Sequence, residues 1–277
     1  SISAAGQNLT VNADGTLASS GSITVTGFDS SGSVTNPAAN SISAGGNVTI
    51  GGTFGTPANN SLTMTGAGTT LDAAVQIGSL TINPGAGNTV ATLNNLSLDG
   101  SLDIQTGTFD TAINGPHNIT LTGSWSNSGT YISGANTVEF QPAAVETLTS
   151  GGTGDGQDFN NLTVNGAGTL QLDTNDLDVD GTLEITTGST FNATSTGRTL
   201  YVALGWTNSG TFSAGDSTVI FDTAAITAVS GDTTFATLEV STAGKRVEFA
   251  TGSTQTVDTV TFTGVDGSLI ELVSGTL

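Results

Sequence analysis

The chain has 277 residues, three basic side chains against 23 carboxylates, a net charge of −20, 39 glycines and no cysteine. That charge repels phosphate backbones and anionic lipid, which argues against nucleic-acid and membrane-surface binding. No apolar run reaches the roughly 20 residues needed to span a bilayer, so no membrane insertion is expected.

Taken in order, the predicted elements are short strands. Leu9-Thr10-Val11, Ile23-Thr24-Val25, Val48-Thr49-Ile50, Leu62-Thr63-Met64 and Leu80-Thr81-Ile82 each place apolar residues at i and i+2 around a polar one. The pattern continues through Leu96-Ser97-Leu98, Leu102-Asp103-Ile104, Ile119-Thr120-Leu121, Val138-Glu139-Phe140, Leu162-Thr163-Val164 and Leu170-Gln171-Leu172. Leu177-Asp178-Val179, Leu183-Glu184-Ile185, Leu200-Tyr201-Val202, Leu238-Glu239-Val240 and Val247-Glu248-Phe249 complete it. Such alternation marks strands with one buried face. Asp-Gly, Asn-Gly, Ser-Gly and Gly-Ala-Gly between them are corner residues. No segment carries helical periodicity with caps, so almost no helix is expected.

Three blocks recur at one constant shift, which carries position 96 to 177, 124 to 205 and 136 to 217. Ser124-Trp125-Ser126-Asn127-Ser128-Gly129-Thr130-Tyr131 becomes Gly205-Trp206-Thr207-Asn208-Ser209-Gly210-Thr211-Phe212. The run Leu96–Ile104 becomes Leu177–Ile185, and Asn136–Phe140 becomes Ser217–Phe221. A fixed period across separate blocks is the mark of a stacked repeat architecture. The expected fold is all-β, a parallel β-solenoid with coils of roughly 20–27 residues, right-handed by the crossover preference. One continuous solenoid is expected, with divergent coils over 1–79, imperfect repeat units over 80–161 and 162–237, and a partial unit over 238–277. Breaking off mid-repeat suggests a piece of a longer chain, or an end covered by another subunit. Asp99-Gly100 and Asp180-Gly181 also read as hairpin turns, which would suit tandem antiparallel sandwiches. Aromatics at 5% are too few for that alternative.

Candidate chemistry is sparse. Asp176-x-Asp178-x-Asp180-Gly181 matches the front half of a calcium loop, yet position 187 is Thr where the closing Glu belongs. The bland alternative is a strand with Leu177 and Val179 inward. Asp176, Asp178 and Asp180 are thus the Ca²⁺ candidates, and no other cofactor is implied. Trp125 and Trp206 are candidate sugar-stacking platforms, though a corner plug is the commoner role for such a residue. Thr-x-Thr-Gly beginning at Thr24, Thr63, Thr120 and Thr261 raises ice binding, against which the uneven spacing of the four copies stands. Arg198, Lys245 and Arg246 are too few for a polysaccharide lyase, and His117 has no nucleophile motif around it. No catalytic residue is expected and the chain is not read as an enzyme. Asn-x-Ser/Thr sequons begin at Asn8, Asn47, Asn59, Asn95, Asn118, Asn161 and Asn192, which a glycosylating host would read.

The blocks Gly205–Phe212 and Leu162-Thr163-Val164-Asn165-Gly166-Ala167-Gly168-Thr169-Leu170 resemble secreted bacterial surface proteins of the filamentous-haemagglutinin and autotransporter-passenger kind. The resemblance runs from about residue 80 to the end. It implies right-handed β-helix repeats and an extracellular structural or adhesive role. Expected from residues and resemblance together is a rod or protomer of a prokaryotic cell-surface filament, sheath or surface layer, self-associating end to end. The alternatives are an adhesin binding surface glycans and a polysaccharide-degrading β-helix enzyme.

Overall fold

The computed structural model describes residues 2–18, 21–35, 40–54 and 60–275. Among them there is no helix, and every paired strand runs parallel to its partner; one isolated antiparallel bridge joins Val265 to Ser268. The chain divides into two compact units, Ser1–Asn136 and Thr137–Leu277, and the division falls inside the 80–161 repeat. Each unit is a parallel β-solenoid.

In the first unit one stack holds Ile23–Ser30, Asn40–Ala44, Asn60–Met64, Ser79–Ile82, Leu102–Ile104 and Trp125–Asn127. A second holds Val48–Ile50, Thr69–Ala73, Thr89–Thr92, Thr108–Asp110 and Thr130–Ile132, and a third pairs Leu96–Leu98 with Ile119–Leu121. Thr16–Ala18 pairs separately with Ser33–Thr35 in the same unit, and the second unit has three stacks. Thr137–Phe140, Asn161–Val164, Thr182–Ile185, Gly205–Asn208, Thr227–Ser230, Arg246–Ala250 and Glu271–Gly275 form the longest. Val145–Thr149, Thr169–Leu172, Thr190–Asn192 and Thr211–Ser213 form another. Leu177–Val179, Thr199–Val202, Thr218–Ile220, Thr233–Val240 and Gln255–Phe262 form the stack that carries most of the chemistry below.

Alternation explains the core directly. Ile23, Ile42, Leu62, Leu80, Leu102 and Trp125 stand one above another in register, all buried, and Leu162, Leu183, Trp206 and Val229 do the same in the second unit. Burying each contributes roughly 1.5–3 kcal/mol. Coil length varies: Leu80 stacks on Leu62 after a short coil, whereas Ser274 stacks on Phe249 after a longer one. The shortest coils fall just below the expected range, because a corner absorbs insertions and deletions without disturbing the strands.

The Asp-Gly pairs are corners and not hairpins. Leu96–Leu98 pairs with Ile119–Leu121, while Leu102–Ile104 pairs with Ser79–Ile82 and Trp125–Asn127. Gly100 and Gly181 lack the positive φ that a two-residue hairpin turn demands. Glycine is needed for close approach: a Cβ would lie 2.5 Å from Ser79 Oγ at Gly100 and 2.4 Å from Asn161 Oδ1 at Gly181. Several sequon asparagines also brace corners. Asn47, Asn95 and Asn161 each accept through Oδ1 the backbone N–H of a residue in the next coil, namely Thr70, Asn118 and Thr182. Asn59 lies outside the described residues.

Candidate functional site

The duplicated tryptophan sequence is one corner built twice. Trp125 and Trp206 are both fully buried, each pointing inward from a strand. Two residues on, Asn127 and Asn208 turn inward as well and accept the N–H of Gly129 and Gly210 at 3.0 and 3.2 Å. Those glycines must be bare, since a Cβ would meet Gly107 O at 2.6 Å or Thr186 O at 2.4 Å in the preceding coil. The chain then turns Tyr131 and Phe212 back onto the indoles, edge to face at 4.9 and 4.8 Å. Trp206 Nε1 donates to Thr233 Oγ1 at 3.1 Å, and burial pushes the Tyr131 phenol up to about 12. Neither indole offers a ring face to solvent, so the geometry needed for stacking a sugar is absent at Trp125 and Trp206.

Asp176, Asp178 and Asp180 lie along and beside the strand Leu177–Val179. Alternation puts Asp178 outward at its centre, with the other two at its ends. Carboxylates spaced along an extended segment, about 6.6 Å between alternate residues, do not wrap around a point as a calcium loop does. Asp176 Oδ1 is already engaged by the N–H of Thr199 at 2.9 Å. No group of three or more His, Cys, Asp or Glu among the described residues is arranged to hold a metal ion.

The fold instead assembles a wider acidic face from different coils. A bridge between Phe159 and Val179 sets Asp158 beside Asp178, and Asp178 is in register with Tyr201 on the other side. Partial burial is the largest effect at Asp178, followed by Asp158, Asp222 and Asp180; together they push its carboxyl up to about 7, against a backbone hydrogen bond from Val179. Burial, then Asp180 and Asp155, lifts Asp158 to about 6. Asp180 is raised by burial and by Asp222 and Asp155, and Tyr201 by burial and the surrounding carboxylates. Asp158, Tyr201 and Asp222 carry no signal in the sequence. Their alignment follows from the lengths of the intervening coils, which no local motif states.

The basic side chains are all committed to structure. Arg246 pairs with Glu248 at 2.7 Å and Glu271 at 3.1 Å, the Arg198 guanidinium donates to Thr174 O, and Lys245 is buried. His117 Nε2 lies 3.0 Å from Ile113 O at a corner.

A further exposed feature is the last described coil of the second unit. Val260 and Phe262 continue the columns of Leu238 and Val240, and Leu272 that of Val247; the three earlier residues are buried. In the last coil the same columns are open, with Val260 53%, Phe262 42% and Leu272 45% exposed, beside the exposed Val265 and Leu269. No described strand pairs with the outer edges of Gln255–Phe262 and Glu271–Gly275.

Compared with known protein families, with characterised proteins and with solved structures, the chain matches none.

Proposed function

We propose that the chain is an extracellular structural protein, a rod or protomer of a prokaryotic cell-surface filament, sheath or layer that assembles by end-to-end β stacking. The observation that carries this reading is the register of the stacks, in which inward apolar residues such as Leu162, Leu183, Trp206 and Val229 repeat from coil to coil so that a further coil can continue them; Val260, Phe262, Val265, Leu269 and Leu272 are exposed on the last described coil. Covering five half-exposed apolar side chains contributes roughly 1 kcal/mol each, about 5 in all. Association costs about 4–15 kcal/mol, so the apolar patch alone does not hold an assembly. Pairing of the two free edges by an incoming coil supplies the rest, as in strand addition. The acidic charge opposes association, so assembly rises with salt as well as with concentration. Phe262→Asp together with Leu272→Asp places charge in the junction without touching buried residues. Light scattering is expected to show assembly for the parent chain and none for this variant, with matching circular dichroism. A parent chain that stays monomeric at every concentration and salt level overturns the reading.

The acidic face favours a second reading, carboxylate catalysis on a polysaccharide. Asp158 and Asp178 sit on neighbouring rungs with proton affinities suited to acid–base work near neutrality. Turnover of neutral or acidic polysaccharides that disappears in Asp178→Asn would support it; no turnover removes it. The buried tryptophans offer no stacking platform, so glycan binding by an adhesin falls to the outer face of the solenoid.

A further inference from the structure

Lys245 is the only lysine of the chain, and it is fully buried just before the strand Arg246–Ala250. Its ammonium donates to Ala203 O at 3.3 Å, Thr223 Oγ1 at 3.3 Å and Ala225 O at 2.5 Å, using all three protons. These acceptors come from two earlier coils. Ala203 follows the strand Thr199–Val202, while Thr223 and Ala225 belong to the turn over 221–226 that leads into Thr227–Ser230. The same Ala203 carbonyl also accepts Thr223 Oγ1 at 3.2 Å and Thr227 Oγ1 at 2.5 Å. Three coils therefore meet at one carbonyl. No carboxylate lies within ion-pairing distance of Lys245 among the described residues. Burial lowers its proton affinity, and the charge of Asp222 works the other way.

An unpaired buried charge is costly, and apolar replacement of such groups is often neutral or stabilising. What a many-donor cation supplies in return is geometric: it fixes which carbonyls meet. We infer that Lys245 is a registry pin, a conformational device that holds the 221–226 turn against the coil ending at Ala203 and so sets the stacking of the last coils. Uncharged corners such as those at Trp125 and Trp206 close by tight glycine contacts; this one closes around an ammonium.

The test is amide hydrogen exchange on the full chain, parent against Lys245→Met, which keeps side-chain length and removes the charge. Phe221 N–H, bonded to Glu239 O, and Ala228 N–H, bonded to Leu204 O, report on the two ends of the turn. Ser209 N–H, bonded to Ile185 O, is the control. The expected result is exchange at least about tenfold faster at Phe221 and Ala228, an unchanged rate at Ser209, and a melting temperature no lower than the parent's. Unchanged exchange at the two reporters overturns the inference. So does a variant that loses protection everywhere and melts early, because Lys245 would then be a general stability contact. Should Lys245→Met fail to fold, amine acylation of the parent still decides: slow labelling of Lys245 relative to the α-amino group supports a pinned ammonium, and labelling as fast as the α-amino group refutes it.

Discussion

Asp178 shows how a single outward side chain on this fold acquires unusual chemistry. Its strand neighbours are ordinary, but the coils above and below bring Asp158 and Tyr201 alongside and Asp222 close by. With its carboxyl up at about 7 and the ordinary aspartate value near 3.8, the folded chain binds more protons than the unfolded chain between those pH values. Stability therefore falls as pH rises through that window, and the repulsion is complete above it. Asp158 and Asp180 act in the same direction. Asp178→Asn is expected to melt about 2–4 °C above the parent at pH 8, after allowance for its partial exposure, and level with it near pH 4. Melting curves at the two pH values check this; a variant that is less stable at pH 8 refutes the assigned repulsion.

At the scale of elements, the strands were legible and their partners were not. Leu98 and Leu102 announce two strands by alternation, yet the Asp-Gly between them also fits a hairpin. Deciding between hairpin and corner needs the strand one coil away, and that separation changes from coil to coil. The same variable length hid the acidic face, since Asp158, Asp178 and Asp222 share no motif. It also makes uneven Thr-x-Thr-Gly spacing compatible with alignment: Thr24 and Thr63 occupy one outward column through Ser43. The tryptophan corners were legible as repeats because their residues lie within one short block of sequence. Their chemistry follows a fixed order of indole, asparagine cap, bare glycine and returning aromatic. Two substitutions test that order. Gly210→Ala forces a Cβ to 2.4 Å from Thr186 O and is expected to cost about 2–4 kcal/mol in chemical denaturation. Asn208→Ala takes the acceptor from the Gly210 N–H and the side-chain donor from Asp232 O, and is expected to cost about 1–3 kcal/mol. A loss below about 0.5 kcal/mol in both would show that the corner is decorative.

At the scale of the whole molecule, charge is unevenly shared. Of the carboxylates, Asp14, Asp29, Asp72, Asp99, Asp103 and Asp110 lie in the first unit, and all the others, with all three basic residues, in the second. The open last coil belongs to the charged unit, so assembly is expected to be strongly salt-dependent. In the proposed assembly the stacking of coils continues from one copy into the next. Electron cryo-microscopy of the concentrated chain at high salt tests it most directly. Filaments with an axial repeat of about 4.8 Å running unbroken across chain junctions are expected, and none from Phe262→Asp/Leu272→Asp. Particles one chain long at every concentration, with the parent and the variant indistinguishable, would contradict it.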